Sequence, residues 1–288
     1  MTKPISPLRQ RMIDDMTIRN MSPNTKNIYI SISAVARFSA YHRRSPDQLG
    51  LEDIRDYHLH LVSRNLKPTT INPIMGALRF FYGKTLGQKH IVDEIPYARR
   101  TDSLPAVLSR EEVERFLKAV RNLKMRTAFI TIYAAGLRVS ELVALTGRDI
   151  DSTRMVIAIR HGKGGKDRYV MLSEQLLGIL RDYWKRTKPT HWLFPGPDPL
   201  QPVATRSLQR VFHAAAEAAG LDKNVTVHTL RHSFATHLLE QKVDIRVIQG
   251  LLGHRNINST TRYTRVAVDT IRRIQSPLEQ LNIESPPT

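Results

Sequence analysis

Two short stretches, Arg154–Arg160 (RMVIAIR) and Asp167–Leu172 (DRYVML), are the β-rich runs of this chain, and the six residues between them, HGKGGK, supply turn glycines. Runs of β-branched residues flanking a glycine turn favour an antiparallel hairpin. Most other segments repeat their apolar residues at helical spacing, so the strands form an island in a helical protein. The expected fold class is therefore mainly α with a small antiparallel β-sheet (α+β).

The first ninety residues read as helices only. Leu8, Met12, Ile13 and Met16 share one face. Ser22-Pro23 places a capping residue before a proline at the first helical position, opening a helix to Tyr41 with Ile28, Ile32, Val35 and Phe38 inward. Leu51–Arg64 carries Ile54, Tyr57 and Leu61. A fourth helix follows Pro68 through Leu78, Phe81 and Tyr82, with Pro73 expected in its first turn. From His90 to Leu108 the periodicity fades and Pro96 and Pro105 appear, which suits a linker. Ser109 followed by Glu112 is a capping box that opens the next helix. The expected division is a helical domain over 1–90, a linker over 91–108 and a second domain over 109–288. In that second domain helices resume at Ser173–Arg186, at Thr205–Ala219 before the stop signal Gly220, and from His228 onward.

Charge then narrows the partner. Lys and Arg number 44 against 26 Asp and Glu, a formal net charge of +18. Residues 1–100 contribute +8 and residues 101–288 contribute +10, so both halves are basic, as two lobes gripping one polyanion require. A generally basic, well-solvated surface is the plainer alternative. The absence of cysteine excludes disulfides, iron–sulfur clusters and thiolate zinc sites. No apolar run approaches eighteen residues and MTKPISPLRQRMIDD lacks a signal-peptide core, so the expected location is the cytoplasm.

The residues able to carry chemistry sit at helix ends and turns. In AAGLRVSELVAL, Gly136 ends one helix and Ser140 is expected to cap the next, leaving Arg138 on the turn with its rigid fork presented to a phosphate and Glu141 near enough to buttress it. In VHTLRHSFATHLL, His228 and Arg231 lie three apart and share a helical face, with His232 and His237 off it. Gly253 ends a helix, leaving His254 at its edge, and Tyr263 follows in a short helix. A phenol titrates near ~10, so as a nucleophile it needs a base and a cationic site. Lys163 and Lys166 on the hairpin turn are able to donate a proton to a leaving oxygen. Each of these has a plainer reading: a surface arginine beside a cap, a packing tyrosine, solvated lysines. No His-Glu-x-x-His spacing or P-loop is present, so neither a metal nor a nucleotide cofactor is expected.

Taken in order, GLRVSEL, HGKGGKDR, HTLRHSFATHLL, LLGH and RYT resemble the tyrosine recombinase (phage integrase) family, over nearly the whole chain and most strongly from Leu108 to Val266. Size and loops look most like Xer-type or transposon-associated members; the insertion that integron integrases carry before their His-x-x-Arg helix is missing. The resemblance implies an N-terminal four-helix core-binding (SAM-like) domain and a C-terminal catalytic domain. It implies that Tyr263 attacks a scissile phosphate, giving a 3′-phosphotyrosyl link and a Holliday junction. Arg138 and Arg231 would hold the non-bridging oxygens, His254 would add a hydrogen bond, Lys163 (or Lys166) would protonate the 5′-oxygen, and His228 would assist proton transfer at the tyrosine. The implied partner is double-stranded DNA with paired sites, bound by a homotetramer with or without a partner recombinase or accessory protein. The segment around Val268–Gln275 resembles the part that docks on a neighbouring subunit. Two rivals remain: a type IB topoisomerase, with similar catalytic residues, and a DNA-binding factor without catalysis.

Overall fold

The computed structural model describes residues 6–21, 25–26, 34–99, 106–160, 167–253 and 274–281. The chain divides into two compact units, Met1–Ser103 and Leu104–Thr288, each around its own apolar core.

In the first unit, α1 (Pro7–Ile18) starts where the Ser6 side chain accepts from the Arg9 amide and Pro7 takes the first helical position. There follow α2 (Ala34–His42), α3 (Leu51–Ser63), α4 (Pro68–Phe80) and α5 (Lys89–Glu94). The start of the helix expected after Ser22-Pro23 lies outside the described residues. Met16, Phe38, Ile54, Tyr57, Met75, Leu78, Phe81 and Tyr82 are buried together. Phe38 is the hub: its ring lies 5.4 Å from Tyr57 and 6.4 Å from Tyr82.

Two sequence expectations need correction in this unit. Pro73 sits inside α4 rather than in its first turn, because Pro68 already occupies the start; the helix continues past a residue with no amide to donate. A helix also forms over Lys89–Glu94, where the apolar repeat had faded, and Ile91 and Ile95 are buried in the unit's core. Six residues are too few for a periodic pattern to register.

The second unit opens with α6 (Arg110–Ala119), where the Ser109 side chain accepts from the Glu112 amide and the Glu112 carboxylate from the Ser109 amide, the reciprocal cap expected. Next, α7 (Leu123–Ala135) is buried from Arg126 to Ala135 and forms the central post. It ends at Gly136, with φ +63°; a Cβ there would lie 2.5 Å from the Phe234 ring, so only glycine both turns the chain and lets α7 approach Phe234. The short α8 (Val139–Val143) leads to a three-stranded antiparallel sheet ordered β1 (Ile150–Asp151), β2 (Val156–Ile159), β3 (Arg168–Met171). The β2–β3 register runs from Val156 opposite Met171 to Ile159 opposite Arg168, where the described ladder stops. The hairpin stem is thus as read from the sequence, whereas β1 is added: two residues carry no alternation to read.

Among the described residues four α-helices follow: α9 (Glu174–Thr187), α10 (Thr205–Ala218), α11 (Val227–Glu240) and α12 (Ile245–Leu252). Phe116, Phe129 and Phe212 interlock α6, α7 and α10, with ring centroids 4.5–5.7 Å apart. His237, left off the His228–Arg231 face by the sequence, is buried on α11, and its Nδ1 lies 2.8 Å from the Tyr133 hydroxyl on α7. Near the end of the chain, Ser276 donates to the Ala134 carbonyl and Leu278 is buried; residues 268–273 of the segment expected to dock in trans lie outside the described residues. The protein is mainly α with one small antiparallel sheet. No helix among the described residues is long and apolar enough to cross a membrane.

Candidate active site

The site begins where a helix runs out of amides. The last carbonyls of any α-helix lack intrahelical donors and sit at the negative end of its dipole. In α12 these are Leu251, Leu252 and the C-cap Gly253, which turns the chain at φ +60°. Each carbonyl is held by a different arginine. Arg168 Nε donates to Leu251 at 2.8 Å, Arg231 Nη2 donates to Leu252, and Arg138 Nη2 donates to Gly253 at 3.2 Å. Arg231 Nη1 also donates to the Gly136 carbonyl at 2.7 Å, binding α11 to the turn that carries Arg138.

Three guanidiniums cannot gather in a buried place without an anion, and Glu141 supplies it. Its Oε1 accepts from Arg138 Nη1 at 2.7 Å and from Arg168 Nη1 at 2.8 Å, while Oε2 accepts from Arg168 Nη2 at 2.8 Å. Arg231 Nη1 lies 3.5 Å from Oε2. Burial pushes the Glu141 carboxyl up, but the hydrogen bonds and charge of Arg168, aided by Arg138, outweigh it and hold the group down at about 2. Arg231 is buried; that burial, then the charge of Arg138, presses it down to about 9 against the pull of Glu141, and it stays protonated at neutral pH. One carboxylate against three guanidiniums leaves two net positive charges among these four side chains.

Glu141 also corrects the expected cap of α8. The N-cap is Arg138, not Ser140: the Arg138 amide donates to Glu141 Oε2 at 2.8 Å. A carboxylate at the third helical position reaches back to the cap amide, so the helix starts before Ser140, which lies inside it and is exposed. One side chain therefore fixes both the backbone and the guanidinium of Arg138.

His228 stands at the second position of α11, one turn before Arg231. Its outer edge is exposed and its ring meets His232 edge-on, with centroids 5.4 Å apart. Partial burial, then the positive surroundings of His232, Arg231 and Arg138, hold its pKa below the ordinary histidine value. At neutral pH it is an uncharged imidazole able to accept a proton. A cavity of about 880 Å³ opens beside it, lined by Val139 and by Arg206, Arg210 and His213 of α10.

Of the six residues expected to act, the structure brings together Arg138, Arg231 and, at their edge, His228. Lys163, its alternative Lys166, His254 and Tyr263 lie outside the described residues. Arg168 was missed. Its signal was present in HGKGGKDR, an arginine at the first rung of a strand beyond a lysine-bearing turn, but nothing in a sequence shows which residue a strand-borne guanidinium will meet. Among the described residues no three His, Asp or Glu side chains are placed to hold a metal ion.

Comparison with known proteins identifies the family and the fold. The phage integrase family model matches residues 106–269, and the phage integrase N-terminal SAM-like domain matches residues 8–91. A Sinorhizobium fredii protein described as an integrase/recombinase is 44% identical over 284 residues, covering 98% of this chain and 92% of its own. Tyrosine recombinase XerA of Thermococcus kodakarensis is 37% identical over 221 residues, 75% of this chain and 77% of its own. The fold matches a crystal structure of a lambda integrase dimer bound to a core site, with TM-score 0.70 at 18% identity over 86% of this chain and 94% of that one. The chain belongs to the phage integrase family, the tyrosine recombinases that exchange DNA strands.

Proposed function

We propose that this site-specific recombinase cuts and rejoins DNA through a 3′-phosphotyrosyl intermediate, with Tyr263 as the nucleophile. The observation that carries the reading is the convergence of Arg138 and Arg231, from segments far apart in sequence, on one buried carboxylate, with His228 one helical turn before Arg231. The Tyr263 oxygen attacks the scissile phosphorus and its proton passes to His228. The bond to the 5′-oxygen breaks, and that oxygen takes a proton from Lys163, chosen over Lys166 for its place in the Gly-Lys-Gly turn. Arg138 and Arg231 hold the non-bridging oxygens as negative charge builds on them, and His254 adds a hydrogen bond. Rejoining runs the same steps in reverse with a 5′-hydroxyl from the exchanged strand. The phosphotyrosine conserves the free energy of the broken bond, so the scheme needs no nucleotide.

On this reading, the two units, Met1–Ser103 and Leu104–Thr288, are both DNA-binding domains, acting in the cytoplasm. Four copies assemble on paired sites and exchange strands through a Holliday junction, with or without a partner recombinase. Both halves of the chain carry a positive net charge, which suits backbone contacts along one duplex. If about six phosphates are contacted, DNA affinity is expected to drop roughly a thousandfold from ~50 to ~200 mM salt. Filter-binding titrations across that range check this, and a flat profile contradicts two-domain engagement.

A pair of assays on supercoiled plasmids tests the function itself. Recombination between two copies of the site, with little relaxation of a plasmid lacking it, is the expected result. Efficient relaxation without paired sites would identify a topoisomerase instead.

A further inference from the structure

We propose that Arg168 is a positioning residue for strand cutting: it takes up the charge of Glu141, so that Glu141 orients Arg138 without cancelling the positive charge needed by the scissile phosphate. This rests on the phosphate-holding role given above to Arg138 and Arg231.

The geometry separates Arg168 from Arg138 by what each guanidinium faces. Arg168 uses Nε on the Leu251 carbonyl and both Nη nitrogens on the two oxygens of Glu141, a fork-to-carboxylate pairing, and its side chain is 8% exposed. Every nitrogen of its guanidinium is turned to the protein rather than to a ligand. Arg138 has the most open of the three side chains, 17% exposed, and meets Glu141 through a single nitrogen. Room for the arrangement comes from Gly253: a Cβ there would lie 3.1 Å from Arg168 Cδ and 3.2 Å from its Nε.

The charge count gives the reason for a third arginine. Glu141 is needed to set the Arg138 backbone and guanidinium. With only Arg138 and Arg231 beside it, a buried carboxylate would leave one net positive charge facing a dianionic transition state. Arg168 raises that to two while occupying the carboxylate itself. In a weakly screened interior one unit of charge weighs heavily on a reaction that concentrates negative charge on two oxygens.

The test is single-turnover cleavage, at saturating protein, of a nicked duplex carrying the recombination site. The scissile group is either the normal phosphodiester or a methylphosphonate, which lacks one negative oxygen. Arg168→Gln is expected to cut the phosphodiester about 100-fold more slowly than wild type, similar to losing one transition-state donor, yet the methylphosphonate no more than about 10-fold more slowly. The double variant Glu141→Gln with Arg168→Gln returns the count to two positive charges and is expected to recover at least about tenfold over Arg168→Gln on the phosphodiester. Equal losses on both substrates, or no recovery in the double variant, would make Arg168 a structural staple only and overturn the proposal. So would an Arg168→Gln rate equal to wild type. If Arg168→Gln does not fold, the double variant decides, and a rate more than about 100-fold below wild type on the phosphodiester counts against the proposal. Wild-type protein that cuts neither substrate would sink the recombinase reading instead, so the two failures are distinguishable.

Discussion

Tyr263→Phe is expected to bind DNA as tightly as wild type and to form no covalent protein–DNA adduct. The substitution removes one oxygen and no charge, so the electrostatic attraction of a chain at +18 is untouched. Chemistry has no such reserve. A deleted nucleophile costs on the order of 10⁴-fold or more, and the arginines and histidine left behind have nothing to activate. Incubation with a nicked suicide duplex, followed by denaturing electrophoresis, separates the outcomes. A detergent-stable band of undiminished intensity in the variant would remove Tyr263 from the mechanism. A loss of binding in parallel with the adduct would instead point to a packing role for the ring.

The second large effect concerns stability. Glu141→Leu strips the carboxylate from among three guanidiniums and is expected to destabilise the second unit by about 3–5 kcal/mol at neutral pH, the usual range for breaking a buried ion pair from one side. The same carboxylate predicts a pH signature. Its folded pKa of about 2 lies below the ordinary 4.5, so its contribution is fully present above pH 4.5 and fades as pH falls through about 2. Integrated over that window the contribution is about 3 kcal/mol, to order of magnitude. Urea unfolding of both proteins at several pH values checks the claim. The gap between wild type and Glu141→Leu should be widest near neutrality and narrow steadily on acidification. A gap independent of pH would show that Glu141 is valued for its shape and not its charge.

What could be read from the sequence divides along the line between local and convergent interactions. The Ser109–Glu112 cap, the Gly136 and Gly220 stops, the His228–Arg231 face and the β2–β3 stem all depend on neighbours within a few residues, and each was legible. Even there, competition misled: Ser140 looked like the natural cap of α8, but Glu141 binds the Arg138 amide because its carboxylate reaches back and is already ionised. Arg168 was invisible because its partners, Glu141 and Leu251, are 27 and 83 residues away. Two-residue β1 and six-residue α5 fall below the length at which a periodic pattern exists. The family motifs pointed to the residues proposed to act; they did not say that the arginines are organised by the end of a helix.

That organisation constrains how this protein can vary. An α-helix turns by about 100° per residue, so adding or deleting one residue within Ile245–Leu252 would swing all three terminal oxygens away from their guanidinium donors at once. Outward-facing side chains such as Ile245 and Arg246 are free to drift over generations. The length of the segment is not: single-residue insertions and deletions there should be purged while substitutions accumulate.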